Sequence, residues 1–162
     1  MTINIENVWQ KTTPLLREEI IGFWEKHKML PAGVSAADRS LEVVLVARDA
    51  PKGEIVGISS AGHVRFKQLN DNHFFAYRSI LLPTHRVPGL PQKMIVETRD
   101  TLEAFAPTMK ENRCVGLVTF VENQGVMKTL NYAVWPASKM VFIGNDVKGR
   151  QVRVYYFKGA TI

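Results

Sequence analysis

The sequence predicts an α/β domain over residues 1–162, built on a mixed β-sheet, and three observations lead there. Two helical stretches come first, and three strand-like runs follow them in succession. Strand and helix then alternate, and a strand, a helix and a strand in that order form a right-handed crossover between parallel strands. The apolar period changes with each element, from three or four residues in the helices to near-continuous apolar runs in the strands. The order read from these signals is α, α, β-β-β-α-β-α-β-β, with INIENVWQ at the start adding a further strand.

The first helix signal is TPLLREEIIGFWEKHKML. Thr13 suits the N-cap and Pro14 the first helical position. Leu16, Ile20, Phe23, Trp24 and His27 fall on one stripe, and Pro31 and Gly33 are expected to end the helix. A short second helix is predicted over 35–41 with Ser35 as its cap. The runs 42–49 and 54–69 then read as strands joined by the turn APKGE, and 73–82 reads as a third after the turn QLNDNH. Met94, Ile95, Thr98, Leu102, Phe105 and Ala106 repeat at helical spacing up to Pro107. CVGLVTFVEN, at 114–123, is a buried strand, and a short helix is predicted within 123–135. The last segment reads as two strands about a turn at Gly144, Asn145, Asp146 and Gly149.

With 46% hydrophobic and 22% charged residues, the chain has the composition of one globular domain with a sizeable core. No apolar run approaches the ~20 residues of a membrane helix. The first residues, MTINIENVWQKT, have no basic patch followed by an apolar stretch, so no signal peptide is expected. Cys114 is the single cysteine, which forbids an internal disulfide and favours a cytoplasmic setting. The net charge of +6 is uneven, +1 over residues 1–81 and +5 over 82–162. A basic C-terminal half attracts polyanions such as nucleotide phosphates, a coenzyme pyrophosphate or nucleic acid.

The stretch LLPTHRVPGLPQKM, from Leu81 to Met94, carries a strand into a Gly- and Pro-containing loop that opens a helix. It resembles the acetyl-CoA loop of the GNAT superfamily of N-acetyltransferases, in which an apolar strand end leads to Q/R-x-x-G-x-G/A at a helix start. Pro83, His85, Arg86 and Gly89 match that frame, while Pro91 replaces the last small residue. VVLVARDAPKGEIVG, at 43–57, is similar to the family's hairpin, and Asn123 in FVENQG stands where the family often places an Asn at a helix head.

The resemblance implies a central mixed sheet of about six to seven strands with helices on both faces. It implies transfer of an acetyl group from acetyl-CoA to a primary amine, small-molecule or protein, by direct attack, with a homodimer as a common assembly. The strand before the loop splays from the next in this family, and its backbone pairs with the pantetheine arm. Leu81 and Leu82 would supply that backbone. Val87, Gly89 and Leu90 would offer N–H groups to the pyrophosphate, with Arg86 adding charge and Asn123 completing the cofactor set. A helix N-terminus suits a pyrophosphate because its N–H groups are unpaired and its dipole is positive. Pro88 and Pro91 carry no N–H and remove two donors from the loop. Phe23, Trp24 and Met29 would line the acceptor wall.

Acetyl transfer to an amine needs a route for the amine proton and a proton for the departing thiolate. The family's Tyr, seven residues after the Asn, is replaced here by Leu130, and Tyr132 lies two residues further on. Tyr132 is thus the candidate acid. Glu122, beside Asn123, is the acid nearest the expected splay and a candidate base, along with His63, Tyr77 and His85. GISSAG lies within a strand and is no nucleophile elbow. The four histidines have neither ligand spacing nor cysteine company, so no metal site is expected. The alternative reading is a non-catalytic module that keeps this fold and binds a protein or nucleic acid, with Lys148, Arg150 and Arg153 as a phosphate-meeting cluster.

Overall fold

A computed structural model describes residues 2–162. Seven strands, β1 (Thr2–Asn7), β2 (Val43–Ala50), β3 (Ile55–Phe66), β4 (Asn72–Leu81), β5 (Cys114–Val121), β6 (Val141–Asn145) and β7 (Gln151–Tyr156), are hydrogen-bonded in the order β1-β2-β3-β4-β5-β7-β6. Four α-helices accompany them: α1 (Pro14–Lys26), α2 (Ala36–Ser40), α3 (Leu90–Phe105) and α4 (Gln124–Thr129). β1–β2, β2–β3, β5–β7 and β6–β7 pair antiparallel, whereas β4 and β5 run parallel on either side of α3, the expected crossover.

The chain forms two compact units, residues 1–62 with 78–94, and residues 63–77 with 95–162. β3, β4 and α3 each contribute to both. The first unit has a core of Val8, Ile20, Phe23, Trp24, Val43, Val46, Ile55 and Ile58, with Leu16, Met29, Ile80 and Leu82 packed against it. The amphipathic stripe of α1 supplies three of its largest side chains. The second unit gathers Phe74, Ala76, Val115, Val118, Val152 and Val154, with Phe66 stacked on Phe120 at 6.2 Å.

The helix starts follow from side-chain caps. Thr13 Oγ1 accepts from Leu16 N at 3.2 Å, and Ser35 Oγ accepts from Asp38 N at 3.2 Å. The end of α1 comes earlier than Pro31 suggests. Lys28 takes φ 52°, its N–H donates to Glu25 O, and Met29 N donates to Trp24 O. This is a Schellman closure with lysine where glycine is usual. The β3 strand is shorter than the run 54–69, because Lys67–Leu69 tightens into a 3₁₀ turn and Asn70 and Asp71 both take positive φ. β5 stops at Val121, since Asn123 leaves the strand to cap α4.

Candidate functional site

The loop between β4 and α3 lies wholly in the first unit and is braced from within. Leu82 N donates to Val56 O at 2.9 Å, which holds the end of β4 against β3. Pro83–His85 form one 3₁₀ turn. His85 pins that turn to β2: its Nε2 lies 3.5 Å from Asp49 Oδ2, and its Nδ1 lies 2.9 Å from Thr84 Oγ1. Val87 N donates to His85 O at 2.9 Å, and Leu90 N donates to Val87 O at 3.1 Å. Arg86 Nε reaches back to Leu81 O at 3.4 Å.

Gly89 turns the chain into α3 with φ 82°, a conformation that costs an L-residue strain. A Cβ there would meet nothing within 4 Å, so the glycine faces open space. Lys93 N donates to Gly89 O at 2.9 Å and starts the helical ladder. Because Leu90 N is engaged and Pro91 has no N–H, the backbone donors left open at the head of this 16-residue helix are those of Gly89 and Gln92. Beside them opens a concavity of ≈ 330 Å³, lined by Ile3 and Ile5 of β1 and by Val87, Pro88, Gly89, Leu90 and Lys93.

In the second unit, Asn123 Oδ1 accepts from Val126 N at 3.2 Å and caps α4. α4 ends at Thr129, so Tyr132 lies beyond the helix, 56% exposed. The segment that carries it is fastened on both sides. Trp135 Nε1 donates to Leu130 O at 2.7 Å, and Arg153 donates to the carbonyls of Leu130 and Ala133, at 3.4 Å each. The Arg153 guanidinium lies over the Trp135 ring at 4.4 Å and is 1% exposed. Burial lowers its pKa.

No protein-family profile and no curated protein matches the sequence. Solved structures do match it along its length. A phosphinothricin acetyltransferase of the GNAT superfamily from Sinorhizobium meliloti, solved with acetyl-CoA, is 12% identical with a TM-score of 0.66, over 99% of this chain and 91% of that one. A mosquito arylalkylamine N-acetyltransferase like 5b is 11% identical with a TM-score of 0.66, over 96% of this chain and all of that one. The fold is that of the GNAT acetyltransferases.

Within the GNAT fold several expectations change. The Val87 and Leu90 N–H groups close the loop on itself, while Gln92, which the motif does not mark, has an open donor. Leu90 contributes instead a buried side chain that seats the helix start. Phe23 and Trp24, expected to line an acceptor wall, are 7% and 2% exposed within the core and offer almost no surface to a ligand. Met29, half-buried at the end of α1, keeps some accessible surface. Glu122 is exposed and ion-pairs with Arg150 at 3.4 Å.

The phosphate cluster proposed from Lys148, Arg150 and Arg153 does not form. Arg153 is buried under Trp135, and Arg150 is bound to Asp146 at 2.6 Å as well as to Glu122. His63 stacks on His73 at 4.7 Å and meets Asn112 O at 3.1 Å, and Tyr77 is buried. No helix among the described residues is long and apolar enough to cross a membrane, and no cluster of three metal-ligating side chains occurs among them.

Proposed function

We propose that the protein transfers the acetyl group of acetyl-CoA to a primary amine. The observation that carries this reading is the loop at the head of α3, in a chain with the GNAT fold from end to end. Two open N–H groups, a positive helix end and a glycine facing free space suit a pyrophosphate. Arg86 keeps its two terminal guanidinium nitrogens for the same anion while its Nε braces Leu81 O. The arm of the coenzyme then runs back along β4, past Leu82 and Leu81.

The transfer is direct. The amine nitrogen forms a bond to the acetyl carbon, the carbon–sulfur bond breaks, the amine loses one proton and the thiolate gains one. A cysteine relay is disfavoured, because Cys114 is 2% exposed and burial pushes its thiol up to about 12. Tyr132 serves as the proton donor to the thiolate. Its exposure and the bracing of its segment by Trp135 and Arg153 support that role. Asn123, as cap of α4, sets where this segment begins.

The test is thermal unfolding with and without acetyl-CoA, followed by thiol release on adding amines. Ligand at ~100-fold its Kd adds ~2.7 kcal/mol of stability. An unshifted transition at millimolar acetyl-CoA rejects the reading and leaves a binding module with this fold. Tyr132→Phe should lower kcat and leave acetyl-CoA affinity unchanged.

A further inference from the structure

A second polar cluster lies in the first unit, apart from the loop. Arg39 is on α2, Glu42 just after it, and Arg78 on β4. Arg78 Nη1 lies 3.7 Å from Glu42 Oε2, beyond a hydrogen bond, and no other ion pair holds it among the described residues. The side chain of Arg39, a half-buried residue, forms no hydrogen bond or ion pair among the described residues. Arg78 and Glu42 sit over Gly62 of β3. A Cβ at that position would fall 2.9 Å from Arg78 Nη1 and 3.2 Å from Glu42 Oε2, so the absent side chain makes room for both groups.

Arg39 feels the charges of both Arg78 and Glu42, so the group carries an excess of one positive charge. Burial lowers the pKa of Arg39 first, and repulsion from Arg78 lowers it further, while Glu42 opposes both. One added carboxylate would neutralise the cluster, and a guanidinium fork matches a carboxylate with two parallel hydrogen bonds. A dianionic phosphate would leave it negative.

The position of Arg78 connects the cluster to the proposed reaction. Side chains alternate along a strand, so Arg78 shares a face with Ile80 and Leu82, and that face packs against the cluster containing Phe23 and Trp24 of α1. At ~3.3 Å per residue, Arg78 lies ~13 Å back along β4 from Leu82. A pantetheine arm running back along β4 from the loop carries the thioester towards that part of the strand.

We infer that Arg78, set over Gly62 beside Glu42, and Arg39, on α2 just before Glu42, bind a carboxylate on the acyl acceptor, which makes that acceptor an amino acid rather than a simple amine. The inference rests on the acetyltransferase reading. Its test compares amino acids with their decarboxylated amines as acceptors: tryptophan with tryptamine, arginine with agmatine, lysine with cadaverine, β-alanine with ethylamine. Thiol release from acetyl-CoA gives kcat/KM for each.

The amino acid of at least one pair should be preferred by on the order of tenfold or more, the worth of a charge-assisted hydrogen bond. Arg78→Gln and Arg39→Gln should bring that ratio towards one, with the thermal shift by acetyl-CoA intact. Preference for the amines, an unchanged ratio in Arg78→Gln, or preference for phosphoethanolamine over β-alanine would each overturn the assignment. So would a protein that acetyl-CoA stabilises but that turns over none of the amino acids. Loss of the acetyl-CoA shift in the parent protein would reject the acetyltransferase reading instead, and the inference with it.

Discussion

Replacing Gly89 by alanine separates backbone strain from packing, because the structure leaves only the former. The glycine has φ 82°, and an added Cβ would meet no atom within 4 Å. The left-handed conformation costs an L-residue about 1–2 kcal/mol. Two responses are open to the chain. If the loop holds, the unliganded protein loses about 1–2 kcal/mol, or roughly 2–8 °C in Tm for a chain of this size. If the loop relaxes, Gly89 rotates its N–H away from the open space, and the Lys93 N to Gly89 O bond that starts α3 is disturbed. A hydrogen bond to a charged group is worth about 1.5–3 kcal/mol, so acetyl-CoA affinity then falls on the order of 10- to 100-fold. Urea unfolding of the unliganded protein and calorimetric titration with acetyl-CoA measure the two terms. An alanine variant with unchanged unfolding midpoint and acetyl-CoA affinity within about twofold of the parent would refute the role given to this turn.

Gly116→Ala should behave oppositely, destabilising the protein without any ligand, because its Cβ would clash with the Tyr155 carbonyl oxygen across the β5–β7 ladder. Soluble yield and melting temperature report it. The Arg48–Glu19 pair should supply acid-sensitive stability. Its hydrogen bond to Arg48, at 2.5 Å, holds the Glu19 carboxyl below its usual range. Stability from a depressed carboxylate is present above the unfolded pKa and lost as pH falls through the folded one. Glu19→Gln should therefore lower the urea midpoint near pH 7, with the gap to the parent narrowing as pH falls below the ordinary carboxylate range. Cys114 should resist iodoacetamide in the folded protein at about pH 8 and react once the protein is unfolded in urea, since burial pushes its thiol up to about 12. Mass spectrometry reads both states.

Much of the fold was legible because its signals are local. Thr13, Ser35 and Asn123 cap their helices as their residue types and positions suggest, since a short oxygen-bearing side chain reaches an N–H two or three residues on without help from the rest of the chain. The stripe through Met94, Thr98 and Leu102 was readable because helical periodicity puts those residues on one buried face. Element ends were harder. α1 ends at a lysine with positive φ, a choice made by the closure of the last turn and the seating of Met29 against the core, not by any helix-breaking residue.

The sequence by itself determined the element order, the parallel step through α3 and the place of the glycine turn, because caps, periodicity and turn chemistry act over a few residues. Only the tertiary structure decided which polar groups remain open. Val87 and Leu90 looked like anion donors until the loop folded onto its own carbonyls, leaving Gly89 and Gln92. Arg153 looked like a surface charge until Trp135 closed over it. Glu42 and Arg78, separated along the chain, met only when the segment after α2 and β4 came together over Gly62. The reason is common to all three. Whether a hydrogen-bonding group is satisfied depends on partners brought together by the fold, and no window of sequence contains them.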